Sequence, residues 1–147
     1  KAFAEENNLL YLNPDDFYGI FHGDDCIHED PFEIWITLFR AIHLAEVNGR
    51  DCIVDTNSLT YVVRSQFLDW FPSFEHHLIY VYAPYPLCVK NNANRRRKIP
   101  DWKMKLMYEK LEPVMCEKED KRWITITRVY NENNKFSPEY LYRRNEE

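Results

Sequence analysis

Two aspartates follow short apolar runs of this sequence in a similar way. Asp15 comes shortly after the run at residues 9–12, and Asp55 directly follows Cys52–Val54. If these runs are buried strands, a carboxylate at the strand exit can accept a proton from an attacking hydroxyl or hold Mg²⁺ through water. In the alternative interpretation, each aspartate belongs to a polar turn that caps the next helix and faces its positive dipole end. The residues alone leave both interpretations open.

Positive charge is concentrated in one stretch, where Lys90 precedes the run Arg-Arg-Arg-Lys at residues 95–98. Arginine suits phosphate because its planar fork pairs with two oxygens at once. Such a run is commonly a solvated face. Here it joins two predicted helices at the sheet end that carries the aspartates, which favours contact with phosphate.

Metal-ligating residue types form no recognisable zinc site. Residues 22–30 are rich in His, Asp and Glu, but their spacing matches no zinc signature. The four cysteines lie far apart with no CxxC pair, and we expect reduced thiols in a cytoplasmic protein. They are Cys26, Cys52, Cys88 and Cys116.

Short apolar runs alternate with helical periods along the chain. A helix is predicted from Pro31 to a stop at residues 48–49, and a second follows a cap at Ser58. Further helices are predicted after Pro84 and from about residue 101 to Pro113, and residues 123–130 alternate as a half-buried or edge strand. Continuous apolar strands separated by helices predict an α/β fold with parallel strands buried on both faces.

Length and composition restrict the function classes. The 147 residues suit one domain, which we place at residues 1–130, followed by a polar tail at 131–147 for which no structure is predicted. No apolar run approaches the roughly 20 residues that span a bilayer, so we expect no membrane partner. The net charge of −5 argues against a broad basic face that coats duplex nucleic acid.

In order and spacing, these pieces resemble the P-loop kinase family that includes the polynucleotide 5'-hydroxyl kinases and the small AAA-type, zeta-toxin-like kinases. The likeness covers roughly residues 1–113. Four stretches carry it: 11–17 (Tyr-Leu-Asn-Pro-Asp-Asp-Phe), 53–57 (Ile-Val-Asp-Thr-Asn) with Arg64 downstream, 90–95 (Lys-Asn-Asn-Ala-Asn-Arg) running into Ile99-Pro100, and 111–113 (Leu-Glu-Pro).

The resemblance implies a role for each matching residue. Asp15 matches the general base for the acceptor hydroxyl, and Asp55 matches the acidic residue that supports the phosphates and Mg²⁺. Arg95 matches the lid arginine over the phosphates of ATP. The nucleotide contacts implied beside it are Arg96, Thr56 and Arg64.

The chain departs from the family pattern at its phosphate-binding loop. No GxxxxGK[ST] run is present, and Tyr18 and Asn91 stand where polynucleotide kinases carry arginines. Residues 1–7 would be the distal part of the helix after the missing loop. The implied fold is a three-layer P-loop sheet with helices on both faces, whose first strand and P-loop are missing from this chain.

The implied function is transfer of a phosphoryl group from ATP to a hydroxyl on a nucleic-acid end or a small molecule. The chain alone would be inactive; the alternative is a non-catalytic kinase-like domain that binds a nucleotide or a protein. We expect an upstream stretch, a second chain or a swapped strand to fill the sheet position between the strands ending at Asp55 and Ala83. Direct pairing of those two strands would contradict the resemblance.

Overall fold

Six helices and five strands occupy the described residues 1–23, 31–132 and 135–144 of the computed structural model. The helices are α1 (Ala2–Glu6), α2 (Pro14–His22), α3 (Pro31–Val47), α4 (Tyr61–Trp70), α5 (Tyr85–Ala93) and α6 (Asp101–Lys110). The strands are β1 (Leu10–Leu12), β2 (Cys52–Val54), β3 (His77–Tyr82), β4 (Thr125–Glu132) and β5 (Lys135–Arg143). The chain divides into unit 1, Lys1–Asn57, and unit 2, Ser58–Glu147. In the described part, none of the helices combines the length and the apolar character that crossing a membrane requires.

In unit 1, β1 and β2 form a two-stranded parallel sheet. The connection between parallel strands must cross back along the sheet, and α2 and α3 lie in that connection. The α3 helix packs against β1 and buries a stripe of residues spaced by three or four, as its helical period predicts. These residues are Ile34, Leu38, Ile42 and Ala45.

In unit 2, β4 lies between β3 and β5, paired parallel with β3 and antiparallel with β5. The core of this unit is a cluster of buried side chains contributed by α4, β4 and the segment between α6 and β4: Leu68, Val114, Trp123 and Ile126. The side chains of Leu78 and Tyr80 pack against this cluster from β3.

The α/β class is as predicted, but several details of the sheet prediction are wrong. The strands form two small sheets, one of them mixed, because residues of the predicted polar tail form the antiparallel strand β5. The pairing with β5 makes β4 a central strand, where an edge position was one of the predicted options. The cap of α4 is Thr60, whose Oγ1 accepts a hydrogen bond from Val63 N at 3.3 Å, and Ser58 is not the cap.

Strand β3 was predicted to be buried on both faces, and this too is wrong. Ile79 and Val81 are 42% and 58% exposed. Successive side chains of a strand point to opposite faces, so the neighbours that pack on the core leave Ile79 and Val81 on the other face.

Among the described strands, β2 pairs only with β1, and β3 pairs only with β4. The strands that precede Asp55 and Ala83 belong to different units, so the predicted filling of a sheet position between them stays a prediction.

Candidate functional site

The carboxyl ends of β1 and β2 lie side by side in unit 1. Leu12 is opposite Val54 in the parallel register, and Asp55 N donates a hydrogen bond to Leu12 O at 2.9 Å. Asp55 is the first residue beyond β2, and Asp15 lies three residues beyond β1. Both predicted aspartates therefore leave the same edge of the sheet, where ligands of parallel α/β sheets commonly bind.

Asp15 lies in the first turn of α2, but it is not the residue that caps the helix. Asn13 is the cap, and its Oδ1 accepts a hydrogen bond from Asp15 N at 2.9 Å. Pro14 follows at the first helical position, where its missing N–H costs nothing. The Asp15 residue is half-buried, whereas Asp16 is exposed. Asn13 therefore provides the side-chain cap, whereas Asp15 and Asp16 lie in the first turn of α2, where a carboxylate faces the positive end of the helix dipole, so the dipole part of the alternative interpretation still applies to Asp15.

Asp55 belongs to a small hydrogen-bonded group at the same edge. Tyr11 Oη donates to Asp55 Oδ2 at 2.7 Å, and Asn13 Nδ2 donates to Tyr11 Oη at 3.1 Å. Partial burial raises the pKa of Tyr11 above its usual value, and the hydrogen bond to Asp55 raises it further. The phenol thus keeps its proton at neutral pH and orients the carboxylate, which stays exposed and able to bind further ligands. Thr56, the next residue, is half-buried.

Sequence reasoning did not assign Tyr11 or Asn13 to the site, although strand alternation contains the signal. Tyr11 lies opposite Ile53 in the register, and Asp55 is two residues beyond Ile53. Residues two apart along a strand share a face, so Tyr11 and Asp55 face the same side of the sheet. Only the register, which the sequence does not state, brings the two side chains within hydrogen-bonding distance.

In unit 2, the predicted basic run forms the connection between α5 and α6. The Asn92 residue is only 7% exposed and closes this connection with two hydrogen bonds. Its Nδ2 donates to Ile99 O at 2.8 Å, and its Oδ1 accepts from Ile99 N at 2.8 Å. The loop at residues 93–98 is thereby held at both ends, and its Arg95 and Arg96 are exposed. Asn92 was not singled out from the sequence, because its partner is backbone.

Arg64 is also a predicted nucleotide contact. Its side chain is only 3% exposed and is bonded to other groups of the protein. Its Nε donates to Glu119 Oε1 at 3.0 Å, and its Nη1 donates to Ser58 O at 3.0 Å. The guanidinium also lies 4.7 Å from the centre of the Tyr61 ring. A phosphate contact by Arg64 would require this buried ion pair to break.

The predicted site residues are divided between the two units. Unit 1 carries Asp15, Asp55 and Thr56, and unit 2 carries Arg64, Arg95 and Arg96. Within the described ranges, no three or more His, Cys, Asp or Glu residues form a group that could hold a metal ion. A single carboxylate such as Asp55 fits Mg²⁺ only where phosphate oxygens and water complete the octahedron. Most of the segment at residues 22–30, which is rich in possible metal ligands, lies outside the described residues, because residues 24–30 are not among them.

The chain matches no family model, no curated protein and no solved structure.

Two of the described cysteines are poor candidates for a nucleophile. Cys52, Cys88 and Cys116 are free thiols. Burial raises the pKa of Cys52 and of Cys88, so these two thiols stay protonated and weakly nucleophilic at neutral pH.

Proposed function

We propose that this chain is part of an ATP-dependent phosphotransferase that acts on a hydroxyl of a nucleic-acid end or a small molecule. Asp15 is its general base, and Asp55 supports Mg²⁺ and the phosphates, oriented by Tyr11. Arg95 neutralises charge on the phosphates, with Arg96 and Thr56 as further nucleotide contacts. The reaction uses ATP in the cytoplasm, a compartment that also keeps thiols reduced.

One observation carries the proposal: Asp15 and Asp55 leave the same edge of a parallel sheet. Leu12 and Val54 are paired, so the two carboxylates start from neighbouring strand ends. A base for the acceptor and an acidic group for the metal are the two carboxylate roles that in-line phosphoryl transfer needs.

The chemical step follows from these roles. The acceptor oxygen attacks the γ-phosphorus of ATP, a new O–P bond forms, and the bond to the β–γ bridging oxygen breaks. ADP leaves with that oxygen, and the hydroxyl proton passes to Asp15. Positioning and charge neutralisation provide most of the rate, because the protein forms no covalent bond to the phosphoryl group.

The phosphate-binding loop must come from outside these 147 residues, since they contain no GxxxxGK[ST] run. The sheet topology supports this, because β2 and β3 each pair with a strand on one side only among the described residues. The free edge of either strand leaves backbone N–H and C=O groups that an added strand could pair. A further stretch of the same polypeptide, a second protein or a swapped strand from another copy could provide it.

The test compares this chain with a longer protein that includes the coding sequence upstream of Lys1. Transfer of labelled γ-phosphate from ATP–Mg²⁺ is measured to a 5'-hydroxyl oligonucleotide and to small polyols. We expect no nucleotide binding by the chain alone, and transfer by a longer protein that carries the loop. Nucleotide binding by that protein without transfer to any acceptor would instead support the non-catalytic domain. If the upstream sequence encodes no such loop and no added strand restores nucleotide binding, the kinase proposal fails.

A further inference from the structure

The helical hairpin at residues 85–110, hereafter the basic hairpin, differs in charge from the rest of the molecule. It contains eight lysines and arginines and only two acidic residues, although the chain as a whole carries a net charge of −5. The basic residues are Lys90, Arg95, Arg96, Arg97, Lys98, Lys103, Lys105 and Lys110. A region of positive charge on a negative protein attracts a polyanion to that region.

The basic hairpin is held together at both ends. At the loop end, Asn92 is bonded twice to the backbone of Ile99. At the other end, the rings of Tyr85 on α5 and Tyr108 on α6 lie with their centres 4.7 Å apart. The positive charges are thus presented on a scaffold that needs little ordering when a ligand binds, which reduces the entropic cost of binding.

Trp102 is the unusual side chain of this surface. It is 69% exposed on α6, although tryptophan is on average highly buried. Lys98 and Lys105 are also exposed, and Lys105 lies on the neighbouring helical turn, three residues from Trp102. The exposed indole ring of Trp102 provides a stacking surface near the positive charge of Lys105 on the same helix.

We propose that the basic hairpin binds single-stranded nucleic acid, with its lysines on the phosphates and one base stacked on Trp102. Single strands combine a polyanionic backbone with open base faces, and proteins bind them by basic grooves and aromatic stacking. Such binding is independent of phosphoryl transfer.

An anionic membrane fits this surface less well. Amphipathic helices that lie on membranes need a wide apolar face. On α6 the exposed apolar positions near Trp102 are interrupted by charge, because Lys105 and Glu109 form an ion pair 3.9 Å apart on that side. Stacking of one nucleic-acid base requires only one exposed aromatic ring, whereas membrane binding requires a continuous apolar stripe along the helix.

The test uses the 147-residue chain and a fluorescently labelled oligouridine of about 12 nucleotides, within the site size of single-strand binders. Fluorescence anisotropy gives the affinity at several salt concentrations. We expect Trp102→Ala to weaken binding about tenfold, in the range for loss of one stacked base, and Trp102→Phe to retain most of the affinity. Equal affinity of Trp102→Ala and the unchanged chain would overturn the stacking contact and with it the proposal.

Two triple variants with the same loss of charge test the location of the surface. One removes lysines of α6 (Lys103→Ala, Lys105→Ala and Lys110→Ala), and the other removes exposed charges elsewhere (Arg40→Ala, Arg50→Ala and Lys118→Ala). Loss of three phosphate contacts on a single strand should lower the slope of log affinity against log salt by about 2. We expect this in the first variant only. Equal losses in both, or equal competition by polyglutamate or by phosphatidylserine vesicles, would overturn the proposal in favour of non-specific charge attraction.

Discussion

Arg64 and Arg95 belong to the same unit, and the family resemblance implies a nucleotide contact for both, yet their surroundings are opposite. Arg64 is buried and bonded to Glu119, whereas Arg95 is exposed on the loop that Asn92 closes. Removing a buried charge from its partner is costly, while an exposed arginine can change partners freely. One arginine is therefore committed to a buried partner in the fold, and the other can bind a ligand.

The largest expected effect is the loss of the buried ion pair. Glu119→Ala leaves the Arg64 guanidinium buried without its counter-charge, and we expect the free energy of unfolding to fall by about 3 to 5 kcal/mol. Urea denaturation followed by tryptophan fluorescence measures this loss.

Glu117→Ala is the matched control, because Glu117 is an exposed glutamate two residues away. It should change stability by no more than about 0.5 kcal/mol. The double change Arg64→Met with Glu119→Leu should recover most of the loss, since an apolar pair needs no counter-charge. A Glu119→Ala chain as stable as the Glu117→Ala chain would show that the ion pair contributes nothing.

For the exposed Arg95 we expect a loss of turnover without a loss of stability. In the longer protein of the proposed function, Arg95→Ala should lower turnover by about 10³-fold, the low end for an arginine that stabilises the transferred phosphoryl charge. The thermal midpoint should not change, because Arg95 is exposed. A steady-state transfer assay decides this, and a fall of less than threefold would make the loop arginine a solvated charge.

A smaller loss of stability is expected when the loop is released. Asn92→Ala removes both hydrogen bonds to Ile99 and leaves that N–H and C=O without their side-chain partner, which should cost about 1 to 3 kcal/mol. Asn94→Ala is the control, because the exposed Asn94 makes only a 3.3 Å bond to Lys90 O. Hydrogen exchange at the Ile99 amide should accelerate in Asn92→Ala alone. Similar exchange in both variants would show that the loop is held by other contacts.

The smallest effect is expected for the partly exposed ion pair between Arg122 and Asp120. The side-chain hydrogen bond from Arg122 holds the pKa of Asp120 below its usual value, against a weaker effect of burial. A carboxyl with a lowered folded pKa stabilises the protein above its unfolded pKa of about 3.9, and this contribution is lost as pH falls through the folded value. Thermal midpoints of the unchanged chain and Asp120→Asn should therefore differ slightly at pH 7 and converge in acid. A difference independent of pH would contradict this assignment.

Local patterns predicted the helices well, because their signals lie close together in sequence. Pro31 and the apolar period up to residues 48–49 predict α3 almost to its bounds. Pairings between residues that are far apart in the sequence were not predicted. Glu119 lies 55 residues from Arg64, and nothing in the order of residues connects them. Strand β5 was not predicted, because its segment was interpreted as a polar tail. Its composition does not indicate that an edge of β4 is available for hydrogen bonding.

The proposed role of Asp15 as the general base of a phosphotransferase can be tested against its neighbour Asp16. In the longer protein, Asp15→Asn should lower turnover by about 10²-fold or more while nucleotide affinity stays nearly unchanged. Asp16→Asn should retain turnover within about threefold, since Asp16 is exposed. Equal turnover in the two variants would contradict the assignment, and a collapse of nucleotide binding in Asp15→Asn would make Asp15 a phosphate or metal group.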